Sequence, residues 1–208
     1  MRVLKSKLVG RGPVNRVVHM IKFLVQRIGS DLRESRIDST LALLMVPVAF
    51  LSYLFHECGH WTVGELLGND MVLGLNYADV SSGVYAGPSD ALLVSLGGPL
   101  FTLLQALVAW LIVERTKSMA AYPFLFFAAF CRFFSILFGG YKLQDEARIA
   151  SLMHLPGFVP AIVVLSLLAV LVWLGNRVLR LPAKAVGYFT AMSTAVILLV
   201  IAVARVTS

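Results

Sequence analysis

Long runs of apolar side chains alternate with short polar connections through most of this chain. Five windows, at about residues 40–64, 91–113, 119–140, 158–175 and 185–204, approach the roughly 20 apolar residues that a helix needs to cross a bilayer core. They predict an all-α polytopic membrane protein with about five membrane helices. The stretch 13–28, PVNRVVHMIKFLVQRI, has a different pattern. Val14, Val17, Val18, Ile21, Leu24, Val25 and Ile28 fall near helical spacing with Arg16, Lys22 and Arg27 between them. That spacing predicts an amphipathic helix lying in the membrane interface, too interrupted by charge to span. Residues 71–90, MVLGLNYADVSSGVYAGPSD, break the helical pattern altogether. Strand-like stretches around Val72–Tyr77 and Gly83–Ala86, separated by the turn-forming Ser81-Ser82-Gly83, predict a short β-hairpin-like insertion between the first two membrane helices. The expected organisation is a basic arm over residues 1–38 followed by one membrane-embedded domain over 39–208.

Composition agrees. With 59% hydrophobic and 14% charged residues in 208 positions and a mean hydropathy of +0.84, the chain is too apolar for a water-soluble domain. The formal charge of +7 suggests nucleic acid at first sight, but half of the 18 basic residues lie in the first 37 positions and most others flank apolar windows. That distribution is a topology signal, and no nucleic-acid partner is expected. No Lys or Arg occurs between Ser39 and Glu114, whereas Glu65, Asp70, Asp79 and Asp90 gather in the first connection. The positive-inside rule then places the N-terminus in the cytoplasm and that connection outside. Arg115, Lys117, Arg177, Arg180 and Lys184 fit this orientation; Lys142 and Arg148, beside Asp145 and Glu146, do not. The lack of acids before Asp31 also suits an organelle transit peptide, although serine is sparse and no cleavage site stands out. Cys58 and Cys131 both fall in apolar windows, so no disulfide framework is indicated.

FHECGHW, residues 55–61, carries the chemistry. His56 and His60 are four apart, so on a helix both imidazoles project from one face and can share a tetrahedral zinc ion. Glu57 is the next residue round, where it can act as general base toward a metal-bound water. Ionisable groups inside membrane helices are costly and mark functional sites, so three in five positions are hard to read as ordinary polar residues at a helix end. A helix starting near Thr40 rises about 24 Å to His56, most of the way across a core of about 30 Å. Cys58, on another face, is read as a packing residue.

A catalytic zinc site typically has three protein ligands and an open position. The candidates for the third are Glu65, Asp70, Asp79, Asp90, Asp145, Glu146 and His154. Glu65 lies about 140° off His60 on the same helix. Asp145 is better placed, because the first and third membrane helices run the same way and end on the same side. Gly139-Gly140 would let the chain bend back toward the metal.

HECGH closing an apolar helix, GGPL at Gly97–Leu100 opening the next, and QDEARIASLMHLP after the third resemble the site-2 protease family of intramembrane zinc metalloproteases, in its small members without added soluble domains. The resemblance covers about residues 45–158. It implies His56 and His60 as histidine ligands, Glu57 as base and Asp145 as the aspartate ligand, with one zinc per chain. It also implies an extended substrate held beside the hairpin by strand addition, for which Gly83, Val84 and Tyr85 are candidates along with Gly98 and Pro99. The alternative for the hairpin is a plain connecting loop. Three departures stand out. Glu146 follows Asp145 where the family usually has glycine, which keeps Glu146 as a rival ligand. Thr102 stands where a G-P-x-x-N pattern has asparagine. The family's H-E-x-x-H helix tends to run toward the cytoplasm, opposite to the charge count here.

The expected function is hydrolysis of peptide bonds in or near transmembrane segments of other membrane proteins, within the lipid bilayer. The alternatives are a catalytically inactive membrane scaffold of the same fold and, more remotely, a metal transporter. Arg132, deep in the third window, is expected in an ion pair with an acid such as Glu57, Glu65 or Asp145 rather than as an oxyanion donor. Gly97-Gly98-Pro99 is expected to serve close helix packing or a bend. His19 and His154 are expected at the interface.

Overall fold

The computed structural model describes residues 13–207. Among these, seven α-helices and one two-stranded sheet follow in the order α1 (Pro13–Glu34), α2 (Ser39–Leu66), β1 (Met71–Leu73), β2 (Ala78–Val80), α3 (Asp90–Thr116), α4 (Tyr122–Phe138), α5 (Asp145–Leu152), α6 (Val159–Leu179) and α7 (Ala183–Thr207). The protein is an all-α polytopic membrane protein, as the apolar runs predict. Four helices, α2, α3, α6 and α7, are long and apolar enough to cross a membrane. The remaining expected span, over about 119–140, is α4. It is apolar but has only 17 residues, because the chain turns at Gly139 and Gly140.

Helix α1 continues six residues past its expected end at Ile28. Val17, Ile21, Leu24 and Ile28 on its apolar side are exposed, and its helix–helix contacts are with α7. Lys184 of α7 bonds Asp31 at 2.7 Å and also pairs with Glu34. The basic positions among residues 1–12 lie outside the described residues.

The hairpin forms at shifted positions. Met71 pairs with Val80, Val72 with Asp79 and Leu73 with Ala78 in an antiparallel ladder. Gly74 N–H donates to the Tyr77 carbonyl at 2.8 Å to close the turn. The expected first strand, Val72–Tyr77, is therefore a strand followed by the turn. Ser81-Ser82-Gly83 comes after the second strand rather than before it, and Gly83–Ala86 is not a strand. Two side chains explain the shift. Asp70 accepts a hydrogen bond from Ser81 at 2.5 Å and Glu65 accepts one from Met71 N–H at 3.0 Å, which fixes the register from Met71, five residues beyond the end of α2.

The core joins α2, α3, α4, α6 and α7. Met45, Val48, Ala106, Val113, Leu125, Phe127, Leu168 and Phe189 are buried in one cluster, and Tyr122 O–H donates to Asn176 Oδ1 at 2.5 Å across α4 and α6. Helices α2 and α3 make the most extensive contact in the bundle. Its closest point is Gly59 against Gly97. A β-carbon on either would collide with the other's carbonyl group, so the two backbones touch with no side chain between them.

Gly97→Ala should accordingly lower thermal stability in detergent by about 1–3 kcal/mol, the usual cost of overpacking, despite alanine's better helix propensity. Gly187→Ala in α7, where nothing lies within 4 Å of an added β-carbon, should be neutral or stabilising by up to about 1 kcal/mol.

Candidate metal centre

The close approach of α2 and α3 positions the histidines. One residue past Gly97, a β-carbon on Gly98 would strike the rings of both His56 and His60. The bare backbone at Gly98 thus makes the seat on which the imidazoles rest. Pro99, beside it, is buried and continues the helix.

Each imidazole is held at Nδ1. His60 Nδ1–H donates to the Val94 carbonyl at 2.7 Å. His56 Nδ1 lies 2.8 Å from Thr102 Oγ1, whose own hydroxyl donates to the Gly98 carbonyl at 3.1 Å. Thr102 oxygen therefore accepts from His56, and its position in the sequence, four residues after Gly98, is what aims it there. With the proton at Nδ1, both imidazoles in their neutral form present Nε2 lone pairs. These stand 3.2 Å apart, and neither has a proton to offer the other.

Asp145 completes the group. Gly140, at φ +88°, turns the chain after α4, a 3₁₀ turn over Tyr141–Leu143 follows, and α5 starts at Asp145. Its carboxylate comes within 3.1 Å of His56 Nε2 and 3.4 Å of His60 Nε2. Ligand atoms at 2.0–2.1 Å from a tetrahedral ion stand about 3.3 Å apart. His56, His60 and Asp145 can therefore hold a metal ion.

Glu146, the rival ligand, points elsewhere. It is fully buried and accepts from Arg132 twice, at 3.2 Å from Nε and 2.5 Å from Nη2. Arg132 Nη2 also reaches Asp145 Oδ2 at 3.2 Å. The expected ion pair of Arg132 thus forms, but its main partner is Glu146. Adjacency in sequence concealed this: α5 sends consecutive acids to two different tasks. The other candidate ligands are engaged in the connection or remote. Asp79 caps its own neighbour Val80 at 2.8 Å, Asp90 accepts from Asn69 at 2.9 Å and from Gly87 N–H at 2.9 Å, and His154 is exposed.

A cavity of about 390 Å³ opens over the group and is lined by His56, Glu57, His60, Arg132 and Asp145, together with Asn76 of the hairpin turn and Gln105. Glu57 is buried. Among the described residues no side chain or backbone group hydrogen-bonds to its carboxylate, which leaves it free to face the cavity. Gly83, Val84 and Tyr85 do not line this space; Val84 is 74% exposed. Asn76, Thr102 and Asn69 were not singled out as site residues from sequence. Asn69 is buried and clasps the connection, donating to Asp90 and accepting from Ala86 N–H at 2.8 Å. Cys58 takes no part in the group.

The chain matches no protein-family model, no curated protein and no solved structure.

Thr102→Val keeps the shape but removes the acceptor on His56 Nδ1. It should weaken metal affinity about 10–100-fold, the typical effect of losing a group that orients a ligand, measured by competition with a chromophoric chelator.

Proposed function

We propose that the chain is an intramembrane zinc metalloprotease resembling the site-2 type, hydrolysing peptide bonds in or near transmembrane segments of membrane proteins. The observation that supports this most directly is the convergence of two imidazole Nε2 atoms and one carboxylate, 3.1–3.4 Å apart, in a cavity where Glu57 presents an unengaged carboxylate. Two nitrogens and one oxygen at these separations suit zinc and leave a coordination position open. When bound, zinc polarises a carbonyl and makes water acidic near neutral pH.

The chain's own groups account for the remainder. His56, His60 and Asp145 would hold the ion, with Thr102 and the Val94 carbonyl fixing the imidazole orientation. Glu57 would take a proton from the attacking water and later give it to the leaving amine. Helices α2, α3, α4 and α7 line the cavity together with the hairpin turn and the connection before α5, which would favour substrate segments that enter from the bilayer. The unengaged Glu57 favours turnover over a non-catalytic scaffold, which has no need of a base beside the ligand set.

The test is metal content and cleavage in proteoliposomes, using transmembrane peptides analysed by mass spectrometry. Wild type should carry about one zinc per chain and cut; His60→Ala and Asp145→Ala should lose the ion. Glu57→Gln should keep it while the rate falls by about 10²–10⁴-fold. A folded wild type without metal would overturn the proposal.

A further inference from the structure

Arg132 is buried at 7% exposure beside the ligand set. A cation there opposes metal binding by like-charge repulsion, and Glu146 offsets it. Glu146, at 0% exposure, takes Nε and Nη2 of the guanidinium in a two-point bond. This bond fixes the plane of the group. Nη2 also serves Asp145. Nη1 is left over. Among the described residues its acceptor is His56 Nε2, at 3.4 Å. That lone pair is the one a metal ion takes. With the ion in place Nη1 is a rigidly held donor without a partner, in the wall of the cavity that Glu57 shares.

Buried donors are almost always satisfied, so an acceptor is required, and the cavity admits one from substrate. Two further donors in the wall, Gln105 and Thr102, are already engaged. Gln105 gives Nε2 to Ser52 at 2.8 Å and to the Phe124 carbonyl at 3.0 Å, and Thr102 gives its hydroxyl to Gly98. We propose that Arg132 Nη1 is the donor to the carbonyl oxygen of the scissile peptide as that oxygen becomes negative. This rests on the metalloprotease reading above. As water oxygen adds to the carbonyl carbon and loses a proton to Glu57, the C=O pair moves onto oxygen and is met by Nη1–H. Arg132 stays protonated throughout. When the C–N bond breaks, the pair returns to form C=O, and the leaving nitrogen takes the proton from Glu57. Glu146 acts through Arg132 and is a positioning residue.

The test uses full-length protein in proteoliposomes, with three readouts: zinc per chain, affinity for a Leu-Leu phosphinate (a tetrahedral anion), and affinity for a leucine hydroxamate (a chelator). Arg132→Lys keeps the charge and loses the planar fork. It should retain about one zinc and bind hydroxamate within about threefold of wild type, while phosphinate affinity falls by about 10²-fold, the scale of losing one oxyanion donor. On a peptide that wild type cleaves, kcat should fall by a similar factor with KM little changed. Arg132→Met strands Glu146, so Arg132→Met/Glu146→Met, which removes both charges together, is the second variant; it should behave like Arg132→Lys. Tyr53, also in the cavity wall, is tested as Tyr53→Phe and should leave phosphinate affinity unchanged. Unchanged phosphinate affinity in both arginine variants, loss of zinc in both, or the loss appearing in Tyr53→Phe instead would each overturn the assignment. A wild type that holds zinc but binds phosphinate no better than Arg132→Lys also overturns it, leaving the metal site standing. A wild type without zinc fails at the earlier step.

Discussion

The site depends on two helices touching backbone to backbone. Gly59 of α2 and Gly97 of α3 approach so closely that no β-carbon fits at either, and only that separation lets the imidazoles of α2 lie on the backbone at Gly98. From there α3 supplies both acceptors for the Nδ1 protons, the Val94 carbonyl and Thr102. A wider spacing would place a layer of side chains between the histidines and the groups that fix their protonation. The glycines are thus part of the metal chemistry, through the tautomers they permit.

The charges around the site form a second constraint. Glu57, Asp145 and Glu146 face one guanidinium, Arg132, in a largely buried cluster. With all four ionised the cluster carries two negative charges in excess, and a divalent ion brings it to neutrality. Burying unbalanced charge is expensive, so a cation bound among these residues would offset the excess that the acids leave.

Most of the architecture could be read from sequence because a bilayer imposes a coarse rule: length and apolarity suffice to find the spans. His56, Glu57 and His60 were legible for a related reason, since their spacing maps directly onto one helix. Asp145 was reachable from the direction of the helices. What escaped was set by contacts between distant segments. The strand register depends on Asp70 and Glu65, which bond residues outside their own elements. Thr102 looked like a substitution for asparagine and proves to hold His56. Glu146 looked interchangeable with Asp145, and only the fold shows that the first turn of α5 divides them between the ligand set and Arg132.

The length of one helix bears on how polar the surroundings of the metal-ligand group are. Helix α4 has 17 residues, about 26 Å of rise against a hydrocarbon core of about 30 Å. A segment short by that margin is accommodated by polar flanks reaching inward, by packing against longer neighbours or by local thinning of the bilayer. Its C-terminal end is followed directly by Gly139, Gly140 and the polar turn that leads to Asp145. Polar chain is thereby brought up beside the cavity, so that the His56–His60–Asp145 group, although it lies within the span of α2, is bordered on one side by a polar connection and not by apolar helix alone.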